Sequence, residues 1–270
     1  MDENSTSVLK YQEIQPAQGI ILGIIATPGV IGNAFAIFVT LQILQEQKLS
    51  PNIFVLSLAS IDLFGIIVVC IPTWLCYAFG AWIGGDELCN FQGFMTLFCS
   101  LGSGGIATSM AVDRYLAVKV PFWHRRTVTA KMATRVVVAV YIISAFISVL
   151  PIVGFGSFVL NLTSTYCTVN WFATELKDVV FSYLFASIGV TLVFTVIFCN
   201  VNVIIKLLKK QEKTRALSAQ IDRDEQQKVK TLEKQFSRMM IVISTIFLIC
   251  WVPFMVSVSQ IQIFFRFLET

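Results

Sequence analysis

Apolar residues in this chain come in long, nearly unbroken runs, and polar residues are confined to the joints between them. A run of roughly 20 apolar residues is long enough to cross a bilayer as a helix. Six such runs predict spans at about 18–41, 51–78, 90–118, 132–153, 178–207 and 236–262. The joints read "QILQEQKLSP", "GAWIGGDELC", "KVPFWHRRTVTAK", the stretch after Gly154, and "KKQEKTRALSAQIDRDEQQKVKTLEKQ". The expected organisation is a tail at 1–17, a bundle over 18–262 with a long loop at 208–235, and an end segment at 263–270. No internal repeat or low-complexity segment interrupts it. The first 17 residues are polar and lack a basic region followed by a short apolar run. No cleaved signal peptide is expected, and the first span would act as its own targeting signal.

Composition agrees with a lipid solvent. The 270 residues are 56% hydrophobic and 13% charged, against about 25% charged in an ordinary soluble domain. Charge also sets the orientation. The joints after spans one, three and five hold Lys48, Lys119, Arg125, Arg126, Lys131, Arg135 and the basic cluster from Lys206 to Arg238. The opposite side holds Lys10, Lys177 and Arg266. Short basic loops stay in the cytoplasm, so the N-terminus is expected outside. Two glycosylation sequons, at Asn4 and Asn161, fall on that outer side. The net charge of +4 resides in the cytoplasmic loops. It reads as topology and lipid contact, with no nucleic-acid partner implied. The mixed charges of 208–235 fit a helical extension of spans five and six.

Five of the seven cysteines, Cys70, Cys76, Cys99, Cys199 and Cys250, fall inside the expected spans, where cysteine is usually a small apolar packer. Cys89 and Cys167 lie at outer ends, in the compartment where disulfides persist. A Cys89–Cys167 bond would tie the top of span three to the second outer loop; the alternative is two unpaired thiols. Arg114 lies 25 residues after Cys89, roughly 37 Å along a helix. Asp113-Arg114-Tyr115 is therefore expected at the cytoplasmic boundary, where charges reach water; by itself Arg114 could be a snorkelling arginine. The chemistry of other membrane classes is missing. A transporter would show related halves with broken helices, and only Asp62 lies well inside a span. An enzyme would need clustered histidine, aspartate or cysteine. The only histidine, His124, sits in a basic loop and is expected to be solvated. Neither catalytic residues nor a cofactor are expected.

Motifs in order carry a resemblance. Gly32-Asn33 stands in span one, "LSLASIDL" with Asp62 in span two, and Cys89 followed by "DRY" in span three. Pro121 comes seven residues after Arg114, and "CWVP" stands at 250–253. The chain resembles the rhodopsin-like (class A) G-protein-coupled receptors over all six spans. The resemblance implies an all-α membrane bundle with six of seven transmembrane helices present, in the plasma membrane, coupling to a heterotrimeric G protein. Asn33 and Ser103 are the candidate polar-core partners of Asp62, since small polar side chains in a bundle bond across helices, and the resemblance implies that Asp62 and Ser103 help hold a sodium ion. A charge buried there costs at least about 2.5–3.5 kcal/mol on insertion scales, so a partner is needed; the alternative is a protonated aspartate in a structural hydrogen-bond network. Pro253 should kink span six, and Trp251 beside it would link ligand contact to movement of that helix. Glu233 precedes Pro253 by 20 residues, about 30 Å, level with Arg114. Arg114 would be held at rest by Asp113 and Glu233 and released to the G protein when span six moves.

The ligand is read from smaller features. Thr96 occupies the position where amine receptors of the family carry an aspartate, so a cationic amine would lack its counter-ion. "FTVIFCNVNVII", "STYCTVNW" and "YAFGAW" are similar to segments of the prostanoid (prostaglandin E type) receptors. That likeness implies that Tyr77 and Thr165 bind a lipid carboxylate; Tyr77 could equally be an interfacial belt aromatic. Tyr166 and Trp251 depart from the prostanoid pattern. The alternative is a receptor for a peptide or another non-amine ligand. The chain stops at "IFFRFLET", and the resemblance implies a seventh span. The expectation is a fragment, truncated gene model or splice form that inserts without signalling to prostaglandin by itself.

Overall fold

The computed structural model describes residues 14, 16–46, 49–161, 163–171 and 174–217, with the isolated positions 242, 245 and 249. Apolar runs become helices because a segment surrounded by lipid must satisfy its own backbone hydrogen bonds. In chain order the elements are α1 (Pro16–Glu46), α2 (Ser50–Phe79), α3 (Gly85–Lys119), α4 (Pro121–Thr127) and α5 (Ala130–Val149). The strands β1 (Phe158–Leu160) and β2 (Cys167–Val169) follow, and then α6 (Leu176–Leu217). Among the described residues five helices, α1, α2, α3, α5 and α6, are long and apolar enough to cross a membrane. Of the expected sixth span at 236–262, only positions 242, 245 and 249 are among the described residues, each of them helical.

Local sequence sets the helix ends. Pro51 sits in the first turn of α2, where its missing N–H costs nothing. Gly80 closes that helix in the left-handed region at φ 71° and donates to the Cys76 carbonyl. Asp86 and Glu87 occupy the first turn of α3 and Lys119 its last, each sign matching the helix dipole. Thr129 caps α5 by accepting from the Met132 N–H at 3.3 Å.

Two joints hold more structure than their polarity implied. "KVPFWHRRTVTAK" contains the short helix α4, started by Pro121. The stretch after Gly154 contains the antiparallel hairpin of β1 and β2, with Leu160 opposite Cys167. Helix α6 continues to Leu217, well into the segment expected as the third cytoplasmic loop.

Helix α3 is the hub. Half of its apolar window is buried, whereas almost none of α1's is. It packs against α2, α5, α6 and both strands. Small residues let the backbones approach closely. A Cβ on Gly102 would fall 2.4 Å from Ile61 Cδ1, and one on Gly105 would fall 2.7 Å from Val140 Cγ1. Ile61, Ile106, Met110 and Val137 fill the space between α2, α3 and α5. Nearer the N-terminal end of α3, Leu97, Leu101, Phe158, Phe181 and Phe185 pack that helix against the hairpin and α6. Outward-facing Ile24, Phe35, Phe38, Phe146 and Phe194 are exposed, as side chains bathed in lipid tails should be.

Candidate functional site

The C-terminal end of α3 carries a buried carboxylate with partners from three helices. Asp113 Oδ1 accepts from Ser50 Oγ of α2 at 3.4 Å and lies 2.9 Å from His124 Nε2 of α4. Asp113 Oδ2 accepts from Arg114 Nε at 3.1 Å and from the Arg114 terminal nitrogen. The arrangement follows from the chain path. Helix α3 ends at Val120, Pro121 starts α4 at once, and one turn brings His124 back over Asp113. The expectation of a solvated His124 is corrected here. Its side chain is 12% exposed, because the joint coils into a helix instead of extending into water. Burying a carboxylate is tolerable when its oxygens are occupied by charged and polar donors. Tyr115 packs its ring 5.9 Å from Phe198 of α6. Glu233, Trp251 and Pro253, expected to complete this switch, lie outside the described residues.

Midway along the bundle, Ser103 Oγ of α3 donates to Asp62 Oδ1 of α2. Asn33, expected beside them, donates instead from its amide nitrogen to the Gly29 carbonyl of its own helix at 2.9 Å. The structure therefore joins two of the three expected polar-core residues. A carboxylate and a hydroxyl are the oxygen donors a hard cation prefers, so Asp62 and Ser103 fit sodium in kind. No cluster of three or more histidine, cysteine or acidic side chains able to hold a metal occurs among the described residues.

At the N-terminal end of α3, Cys89 and Cys167 form a disulfide with their Cα atoms 5.2 Å apart. Beside it Gln92, fully buried, clamps three elements. Its Nε2 donates to the Val69 carbonyl and to Thr73 Oγ1 of α2, both at 3.0 Å. Its Oε1 accepts from the Cys167 N–H of β2 at 2.7 Å. Gln92 went unremarked in the sequence, although a glutamine one turn after Cys89 shares that cysteine's helix face. Nearby, Cys76 Sγ donates to the Ser164 carbonyl at 3.3 Å.

The expected ligand residues are placed less uniformly. Thr165 is buried, with Oγ1 at 2.7 Å from Thr163 Oγ1. Tyr77 is half-buried with its ring beside Gly19 of α1. Thr96 donates to the Gln92 carbonyl of its own helix at 2.8 Å. Of the two sequons, Asn4 lies outside the described residues. Asn161 Oδ1 accepts from the Thr163 N–H and hydroxyl at 3.0 and 2.6 Å.

Known proteins are similar to this chain in sequence and fold. Residues 32–266 match the family described as 7 transmembrane receptor (rhodopsin family). The human prostaglandin E2 receptor EP4 subtype is 34% identical over 182 residues, which are 67% of this chain and 37% of that receptor. The Gq-coupled rhodopsin of Mizuhopecten yessoensis is 24% identical over 244 residues, 87% of this chain and 48% of that protein. The chain thus spans under half the length of these curated relatives. Among solved structures, squid rhodopsin superposes with a TM-score of 0.81 at 21% identity, covering 94% of this chain and 75% of that one.

Proposed function

Because the chain belongs to the rhodopsin family of seven-transmembrane receptors, a family of multi-pass membrane proteins and not of enzymes, we propose that it works as a plasma-membrane receptor. In this reading an extracellular ligand moves the sixth span, and the inner face engages a heterotrimeric G protein. The observation that carries it is the buried Asp113, which holds Arg114 at the inner end of α3. An arginine held by the neighbouring carboxylate is a two-state element: rotation of its side chain away from Asp113 would free it to face a partner. Glu233 would add a second restraint, and Trp251 with Pro253 would convey ligand contact to the moving half. The N-terminus lies outside in this reading, which puts Asn4 and Asn161 where glycosylation occurs.

The proposed ligand is a prostaglandin-like lipid carboxylate. Its support is the 34% identity to the prostaglandin E2 receptor, with Thr96 rather than a carboxylate on α3 to receive an amine. Tyr77 and Thr165 would take the ligand carboxylate. A second reading is a receptor for a peptide or other non-amine ligand; the contact of Thr165 Oγ1 with Thr163 Oγ1 counts against Thr165 as a carboxylate-binding hydroxyl without naming another ligand. The test is prostaglandin E2 binding to cells expressing the receptor, with cAMP and calcium as readouts. Saturable binding that falls in Tyr77→Phe and Thr165→Ala variants supports the first reading. No binding at normal surface expression leaves the second.

A further inference from the structure

Where the inner ends of α3 and α6 meet, they enclose a cleft of about 290 Å³. Its walls include Tyr115, Lys119, Asn202, Val203, Lys206 and Lys209, and no carboxylate lines it among the described residues. Three lysines, Lys119, Lys206 and Lys209, line one small volume. Lys206 Nζ reaches from α6 to donate to the Val118 and Lys119 carbonyls at 3.2 and 3.1 Å. Lys119 Nζ donates to the Tyr115 hydroxyl and lies 4.9 Å from that ring's centroid. An ammonium has three N–H donors, so both amines are positioned and still have protons to give. Like charges gathered this way repel unless an anion joins them.

The cleft's depth identifies the anion's source. It lies at the last turn of α3, where the apolar span gives way to the basic joint. Exposed Val201 and Ile205 continue from it along α6 toward the bilayer interior. Basic pockets between membrane helices on the cytoplasmic side suit phosphorylated lipid headgroups. We propose that this cleft binds such a headgroup from the inner leaflet. Its phosphate oxygens would sit on Lys119, Lys206 and Lys209, and its acyl chains along Val201 and Ile205. The site is independent of the receptor's extracellular ligand and can be read without agonist or G protein.

The test uses purified protein in phosphatidylcholine nanodiscs, titrated with phosphatidylinositol bisphosphate and, separately, with soluble inositol trisphosphate. The lipid should bind, and the K119Q/K206Q/K209Q variant should weaken it by at least about tenfold, since each basic side chain near a membrane surface contributes about 1 kcal/mol. Lys206 also joins two helices, so Lys209→Gln is measured alone. It should lower binding several-fold with unchanged thermal stability. K131Q/R135Q, which alters basic residues on α5, should bind as the parent does. Soluble inositol trisphosphate should bind at least about tenfold more weakly than the lipid, because it leaves the apolar wall unfilled. Unchanged binding in the triple variant, equal loss in K131Q/R135Q, or equally tight inositol trisphosphate would each overturn the proposal.

Discussion

His124 Nε2 lies 2.9 Å from Asp113 Oδ1, so helix α4 is fastened to the same carboxylate that holds Arg114. The contact couples two inner-surface elements through one side chain. Arg114 cannot leave Asp113 without altering the charge that His124 and Ser50 also face. Loosening α4 should therefore loosen Arg114.

His124→Ala should raise basal G-protein activation. A net hydrogen bond contributes about 0.5–1.5 kcal/mol, which corresponds to about a two- to tenfold shift in a two-state balance. His124→Gln, which can keep one donor near Asp113, should rise less. Basal signalling at matched surface expression is the measurement. An alanine variant indistinguishable from the parent would remove α4 from the restraint.

Some of this was legible in the sequence and some was not, for physical reasons. Helices in lipid announce themselves by long apolar runs, because the backbone has no water to bond. Cys89 and Cys167 stood out because both lie outside the apolar runs' interiors, on the side expected to be oxidising. The Asp113–Arg114 contact needed only adjacency. His124 was misread because the polarity of "FWHRR" marks exposure to water yet says nothing of one helical turn folding back. Gln92 was missed because a single polar residue inside an apolar run carries no periodic signal. Asn33 was placed beside Asp62 because small polar side chains in a bundle tend to bond across helices, whereas its amide bonds within α1.

Gln92→Ala should destabilise the outer end. The change strips the buried Cys167 N–H of its acceptor and takes a donor from Thr73 Oγ1. An orphaned buried group costs about 1–3 kcal/mol, so a clear drop in melting temperature is expected in detergent. Gln92→Glu keeps the acceptor for Cys167 but loses both donated bonds, and should also destabilise. A melting temperature within error of the parent for the alanine variant would show that water replaces the clamp without loss.

Cysteine replacement should show dependence within the pair. The bond closes a loop with a sequence separation of 78, and losing such a bond typically costs about 2–5 kcal/mol. Cys89→Ser and Cys167→Ser should each reduce surface expression and thermal stability. The double variant should be no worse than either single one, because residues sharing one bond are not additive. A double variant as damaged as the sum of both would point to separate roles for the two sulfurs.

The last prediction concerns the close approach of α3 and α5. A Cβ at Gly105 would lie 2.7 Å from Val140 Cγ1 and 3.6 Å from its Cγ2. Valine is stiff at χ1, so that side chain cannot swing aside, and the helices themselves must move. Overpacking of this kind typically costs about 1–3 kcal/mol, and Gly105→Ala should lower the melting temperature accordingly, despite alanine's better helix propensity. Removing the obstructing methyls should restore the fit, so G105A/V140A should be more stable than G105A alone. Val140→Ala by itself removes a partly buried side chain packed against the core and should be mildly destabilising. The interaction is read by a double-mutant cycle on thermal unfolding in detergent. Effects that simply add would mean that the helices do not meet at Gly105 and Val140.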